Sequence, residues 1–172
     1  MLSTLFNQIE PFGGRRRGRP KPVSLNTIIC DAIAIFEAEA GENDIGFCFE
    51  SADTTVSVDP SEILTVLVNL LQNAVYWLRT TPKTSVRKIE MSATRLEDGS
   101  VSILVSDSGP GVPEELRESI FDAYFSNRRD GVGLGLSIAG NMVQDLYGGH
   151  LSLLSTGPQK GATFEVLLRK RV

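Results

Sequence analysis

Three groups of residues in this chain have the types and spacing to do chemistry. The first lies on the apolar stretch from Glu62 to Leu78. At about 100° per residue, Glu62, Thr65, Asn69, Asn73 and Tyr76 fall into one stripe about 80° wide, and the rest of the circumference is almost wholly apolar. A helix buried on most sides must pair such amides or use them. Asn69 and Asn73, one turn apart, present two oxygens to one cation or polar ligand; two amides bonded to neighbouring backbone would leave the same pattern. The second group is Asp107-Ser108-Gly109-Pro110-Gly111, where an apolar strand ends. Asp107 continues the alternation Val101, Ile103, Val105, so its carboxylate faces the core side and needs donors, for which the amino group of a flat heterocycle is suited. Gly109 and Gly111 let the backbone approach a ligand closely, although a strand-end turn with glycines is common on its own. The third group, Gly131-Val132-Gly133-Leu134-Gly135, opens a helix. Glycines there expose backbone N–H groups at the positive end of the helix dipole, which suits phosphate, and Arg128 and Arg129 just before it are placed to reach phosphate oxygens. This segment is neither the lysine-containing GxxxxGK[ST] loop nor the GxGxxG that follows the first strand of a dinucleotide fold.

The elements that must position these groups read clearly from Val23 onward. A cap at Ser24 or Asn26 opens a helix to Ala40 that buries Ile29, Ile33 and Phe36 and ends at Gly41. Two short strands, GFCFES and TVSVD, precede Pro60 at the first position of the amide-bearing helix. Val86 to Leu96 alternates Ile89, Met91 and Ala93, turns at Asp98-Gly99 and returns through Val101, Ile103 and Val105 as a long hairpin. An aperiodic stretch leads to the helix from Leu134 to Tyr147, closed by Gly148-Gly149, and HLSLLST and ATFEVLLR form a last hairpin around Gly157-Pro158. This order predicts an α+β, two-layer sandwich: a mixed, mostly antiparallel sheet with about three helices on one face. Residues 1–22 read separately. Leu2, Leu5, Phe6 and Ile9 have helical spacing, and the segment from Gly13 to Pro22 reads as a solvated basic linker. The globular domain is therefore placed at residues 23–172.

Composition removes several function classes. With 172 residues and 41% hydrophobic content the chain buries a sizeable core. Its net charge is −4, but RRRGRPK (15–21) holds five of the basic groups; beyond residue 21 there are 12 basic and 20 acidic residues, an excess of eight negative charges. A body so acidic is a poor nucleic-acid binder. Cys30 and Cys48, with a single histidine, build neither a disulfide framework nor a zinc site. Thr65, Asn69, Gln72 and Asn73 interrupt the most apolar stretch, so it is not a membrane span, and the start does not read as a signal peptide. A cytoplasmic, reducing location is expected.

In this order and spacing the three groups are far more specific than any one. NLLQNA (69–74), DSGPG (107–111), IFDAYF (120–125) and GVGLGLSIA (131–139) resemble the N box, first glycine box, F box and second glycine box of the ATP-binding superfamily that contains gyrase, the heat-shock chaperone, histidine kinases and mismatch-repair ATPases. GGHLSLLST and GATFEVLL (161–168) resemble its closing hairpin. The resemblance implies a Bergerat-type ATP-binding fold with ATP and Mg²⁺ as ligands. By it, Asn73 coordinates the metal, Asp107 accepts from the adenine amino group, and Gly109 and Gly111 shape the adenine pocket. Gly131, Gly133 and Gly135 hinge a lid and meet the phosphates, with Val112, Val132, Leu134 and Leu136 among the implied nucleotide contacts. Phe121 and Phe125 anchor the lid, Arg128 and Arg129 reach phosphate, and Thr163 supports Asp107 directly or through water. Tyr76, also counted at the site, stands where some relatives carry a basic or amide residue, which removes one phosphate contact.

The branch rests on Asn69. Many members share a glutamate one turn before the metal-binding asparagine, where it orients or deprotonates the nucleophile; an amide cannot be a general base. Asparagine at this position resembles sensor histidine kinases, and Asn69, Asn73 and Arg128 are then the catalytic set. The resemblance implies transfer of the γ-phosphoryl group to a histidine on a separate dimerisation domain, with residues 1–22 as the end of its helix plus a linker, and a response regulator downstream. An ATP-hydrolysing clamp and a nucleotide-sensing module remain the alternatives. His150, in GGHLS, is remote in sequence from every nucleotide motif and is not expected to be the acceptor.

Overall fold

The computed structural model describes residues 20–51, 54–83, 85–128 and 131–169. The expected helix at Leu2 to Ile9, most of the basic linker, and Arg129 lie outside the described residues. Strand β1 (Lys21–Ser24) leads into helix α1 (Leu25–Glu42), followed by β2 (Gly46–Ser51), β3 (Thr55–Val58) and helix α2 (Pro60–Thr80). The hairpin β4 (Lys88–Arg95) and β5 (Val101–Asp107) comes next. Two short 3₁₀ turns, helix α3 (Gly135–Tyr147) and the strands β6 (His150–Leu153) and β7 (Thr163–Leu168) complete the chain.

The main sheet has the order β2-β4-β5-β7-β6 and is mixed: β2 runs parallel to β4, and every other pair is antiparallel. The fold is α+β with three helices, as the pattern of elements predicts. Parallel pairing of β2 and β4 follows from the connection between them, because a crossover that contains a helix returns the chain in the same direction. The two short strands β2 and β3 are consequently not partners; β3 pairs with β1 in a separate two-stranded sheet that buries Val56 and Val58. Lys21 and Pro22 belong to this small sheet rather than to a linker, and proline is tolerated because β1 is an edge strand.

Period-two alternation places one side of each strand under the helices. Across the sheet Met91, Val105 and Phe164 form one row, and Ala93, Ile103 and Val166 the next, all buried. The following rung pairs Ile89 with Asp107, so a carboxylate takes a core position at the end of the sheet. Helix α1 covers this core with Leu25, Ile28, Ile29, Ala32, Phe36 and Ala40, whereas Ile33 is only half-buried. It runs through Gly41 to Glu42, where a side chain would meet nothing and no turn is forced.

Helix α2 is the central positioning element, two residues longer at each end than Glu62 to Leu78. The Asp59 side chain caps it by accepting from the Ser61 N–H at 2.9 Å, and Pro60 at the first position has no N–H left to satisfy. Buried Tyr147 donates its hydroxyl to Glu62 at 2.6 Å, which fixes the C-terminal end of α3 to the first turn of α2. At the other end Arg87 donates to the carbonyls of Asn43 and Thr81 and ties the ends of α1 and α2 to the start of β4.

Candidate functional site

The polar stripe of α2 divides by use. Glu62 serves the Tyr147 bond, and Thr65 donates back to the Ser61 carbonyl at 2.7 Å. Asn69 donates through Nδ2 to the Thr65 carbonyl at 2.9 Å, which commits one of its two amide hydrogens to the helix and leaves Oδ1 toward the start of α3. A Cβ on Gly135 would stand 2.9 Å from that oxygen. Asn73 is bonded to no neighbouring backbone; its Oδ1 accepts from the Arg128 guanidinium at 2.9 Å. That guanidinium also lies 4.1 Å above the Tyr76 ring, a cation–π arrangement. Burial lowers the Arg128 pKa, with Tyr76 and Glu39 opposing it.

The second group is built at the end of β5. Asp107 is 5% exposed. Both of its bonds fall on Oδ1, from the Gly109 N–H at 2.8 Å and the Ala162 N–H at 3.3 Å, so Oδ2 is left for a donor from the cavity. Burial raises the Asp107 pKa above the ordinary carboxylate value, and the two backbone donors oppose that rise. Gly109 and Gly161 flank the carboxylate: a Cβ at Gly109 would approach Oδ1 to 2.8 Å, and one at Gly161 would meet Oδ1 and the Asp107 carbonyl closer still.

Thr163 makes no direct bond to Asp107. It is the register partner of Ser106, and their hydroxyls are 2.7 Å apart. Alternation along β5 puts Ser106 and Asp107 on opposite faces of the sheet, so the Thr163 side chain is directed away from the carboxylate.

The third group closes the site. The Tyr124 N–H donates to the Gly133 carbonyl at 2.8 Å, and Gly133 has φ +73° with its Cα pressed so close that a Cβ would stand 2.6 Å from the Phe125 carbonyl carbon. Only glycine combines that dihedral with that approach. Leu134 occupies the N-cap position of α3 and supplies no side-chain bond, so the first N–H groups of the helix remain available. Phe121 packs edge-on against Phe164, ring centroids 6.3 Å apart, and anchors the segment to β7.

These pieces enclose one cavity of about 720 Å³. Of the residues singled out from sequence, Asn69, Asn73, Asp107, Gly111, Val112, Phe125 and Arg128 line it, as does the run Gly131, Val132, Gly133, Leu134, Gly135 and Leu136. Gly109, Tyr76 and Thr163 do not: Gly109 holds the carboxylate from behind and Tyr76 holds Arg128. Sequence reasoning missed Trp77, Ile120, Ala162 and Phe164 on the wall, and Gly161 behind it. Trp77 had a signal, since it stands one helical turn after Asn73. Among the described residues, Asp107 is the one carboxylate on the wall.

A cavity with a buried acceptor at one end, and amide oxygens, a guanidinium and a glycine-rich helix start at the other, has the polarity of an adenine nucleotide. The family model for histidine kinase-, DNA gyrase B-, and HSP90-like ATPases matches residues 58–172, which include all three groups. The chain belongs to this family. The catalytic domain of histidine kinase ThkA, in a nucleotide-free form, has 32% sequence identity and a TM-score of 0.77, covering 89% of this chain and 97% of that domain. Sensor histidine kinase ZraS of Klebsiella oxytoca is 34% identical over 148 residues, 85% of this chain. The C4-dicarboxylate transport sensor protein DctB of Rhizobium meliloti (strain 1021) is 38% identical over 106 residues, 61% of this chain. The matched parts are 30% of ZraS and 16% of DctB, so the chain spans under a third of these relatives. The fold is that of a histidine kinase catalytic, ATP-binding domain.

Proposed function

We propose that this domain binds Mg-ATP and passes the γ-phosphoryl group to a histidine on a separate dimerisation domain, from which a response regulator receives it. The observation that carries this reading is that, among the described residues, the cavity wall holds no general base. Asp107, the one carboxylate there among the described residues, sits at the end of β5 and is committed to backbone N–H groups. At the other end Asn69 and Asn73 are amides, with no basicity to deprotonate water. Such a site is suited to a nucleophile that arrives with its own acid–base partner and not to steady hydrolysis.

The chain's own residues bind and orient. Asp107 Oδ2 accepts the adenine amino group, with Trp77 and Ile120 as apolar wall beside the ring. Arg128 and the first N–H groups of α3 take the phosphate oxygens, so catalysis consists of positioning and charge neutralisation. The donor set fits magnesium: Asn73 and Asn69 offer hard amide oxygens, and Asn73 Oδ1 already accepts from a cationic group. Among the described residues no cluster of three acidic, histidine or cysteine side chains could hold a metal ion, so a metal here would be held by Asn73 and Asn69 together with the nucleotide. When bound, the metal neutralises phosphate charge.

The named relatives support the signalling role, and ThkA has been crystallised in complex with response regulator protein TrrA, with 30% identity, a TM-score of 0.73 and coverage of 98% of this chain and 48% of that one. No described helix is long and apolar enough to cross a membrane.

Two measurements test this. Mg-ADP at 100 times its dissociation constant stabilises by about 2.7 kcal/mol, which at about 2–4 °C per kcal/mol raises the melting midpoint by roughly 5–11 °C. With γ-labelled ATP, acid-labile label should appear on a histidine-bearing dimerisation domain supplied in trans and not on this chain, whose His150 is exposed on β6 and lies off the cavity wall. No thermal shift at millimolar Mg-ADP would sink nucleotide binding. Steady hydrolysis by the chain alone, without transfer, would favour the clamp.

A further inference from the structure

Arg128 is a half-buried guanidinium with no carboxylate partner among the described residues. Its resources are the Asn73 oxygen at 2.9 Å and the Tyr76 ring at 4.1 Å, both on α2 and three residues apart. Glu39 acts on it only from beyond ion-pair distance and is itself paired with Arg79 at 2.7 Å, so a desolvated cation held by an amide and an aromatic face keeps most of its positive charge unbalanced, and a polyphosphate answers it with bidentate, charge-assisted bonds. The same contact blocks Asn73. A guanidinium on Oδ1 and a divalent cation on that oxygen exclude each other, by occupancy and by charge.

We propose that Arg128 is an interlock: parked on Asn73, it closes the metal-binding oxygen in the nucleotide-free domain, and only a polyphosphate that captures the guanidinium frees that oxygen. Tyr76 is a positioning residue in this scheme. Its ring keeps the guanidinium beside α2 after the Asn73 bond is released, within reach of the phosphates. Metal and nucleotide then enter as a coupled pair, and the site does not load free metal. The inference rests on the nucleotide reading of this same cavity.

The interlock carries a sign that a plain metal-ligand role does not. If Asn73 were only a ligand, Asn73→Ala would leave metal-free nucleotide binding unchanged. If Asn73 also holds Arg128 back, the substitution releases the guanidinium to phosphate. ADP is therefore titrated in EDTA and in Mg²⁺, read by calorimetry, with adenosine as the probe of the adenine end. Asn73→Ala should bind ADP about tenfold or more tightly than wild type in EDTA, the worth of one hydrogen bond to a charged group, and more weakly in Mg²⁺. The gain in EDTA should vanish in the Asn73→Ala/Arg128→Ala double variant. Tyr76→Leu should weaken ADP in both conditions, and Tyr76→Phe, which keeps the ring face, should restore it. Unchanged or weaker ADP binding by Asn73→Ala in EDTA, with adenosine binding intact, overturns the interlock and leaves the nucleotide reading standing. Should Asn73→Ala lose adenosine binding as well, Asn73→Asp decides: a carboxylate holds Arg128 harder, so ADP affinity in EDTA must fall, and an unchanged value overturns the proposal. A wild-type chain that binds no ADP in Mg²⁺ ends both readings.

Discussion

Replacing Gly161 by alanine should disable the adenine end of the cavity. A Cβ there would stand 2.6 Å from the Gly109 nitrogen and closer still to Asp107 Oδ1 and the Asp107 carbonyl oxygen. Two of these are backbone atoms, and the third is a carboxylate oxygen held by two N–H groups. Gly161 N itself donates to the Asp107 carbonyl at 3.0 Å, so the strand ends cannot separate without losing that bond. Overpacking costs about 1–3 kcal/mol, and loss of one N–H bond to the carboxylate adds about 1.5–3 kcal/mol. Together these lower the melting midpoint by at least roughly 5 °C in a chain of this size. Gly140→Ala is the internal control: inside α3 its Cβ would meet only Leu151 Cβ at 4.0 Å, and the lost backbone entropy of glycine makes it stabilising by about 0.5–1 kcal/mol. Thermal unfolding and an ADP titration on both variants are the assays. Gly161→Ala should melt well below wild type and bind ADP about tenfold or more weakly, because the acceptor has moved. If it melted like Gly140→Ala and bound ADP normally, Asp107 would not be held between Gly109 and Gly161 as described.

Asp107→Asn retains an acceptor for Gly109 and Ala162 but turns a donor toward adenine; ADP affinity should fall by the same factor in EDTA and in Mg²⁺, and a magnesium-dependent loss would contradict an adenine-only role. The pH dependence follows from the raised Asp107 pKa. The folded carboxyl holds its proton more tightly than the unfolded one, so its contribution to stability is present at low pH and lost as pH rises through the folded value, whereas adenosine binding needs the ionised form and must weaken as pH falls through that value. Asp107→Asn should show no such titration, which adenosine, lacking phosphates that titrate, tests cleanly by calorimetry. Trp77 is the chain's single tryptophan and lines the cavity, so ADP should change its emission; Trp77→Ala should weaken adenosine by about tenfold, and an unchanged affinity would remove it from the adenine wall.

What the sequence reveals and what it withholds divide along the range of the interactions. Helix α2 is legible because its determinants are local: Asp59 and Pro60 start it, and the apolar circumference leaves the amides on one stripe. Asp107 is legible because period-two alternation carries from Val101 to the carboxylate without reference to any other strand. Thr163 goes wrong at the point where a neighbour enters. The register of β7 against β5 decides whether Thr163 meets Asp107 or Ser106, and a shift of one residue exchanges the faces, yet nothing within ATFEVLLR states which residue it pairs with. The strands β2 and β3 pose the same problem, since adjacency in sequence suggests pairing and the partners lie in β4 and β1. Gly161 and the Arg128–Asn73 contact are further out of reach. The first matters only because a strand end 54 residues away presses a carboxylate against it, and the second joins residues 55 apart. Tyr76 shows the consequence. Read along the helix it removes a phosphate-binding group, but in the fold its ring brings Arg128 to the same place from the lid side, so the positive charge is supplied by a different element. A motif therefore identifies the chemistry a position can offer, and the tertiary contacts decide which residue delivers it.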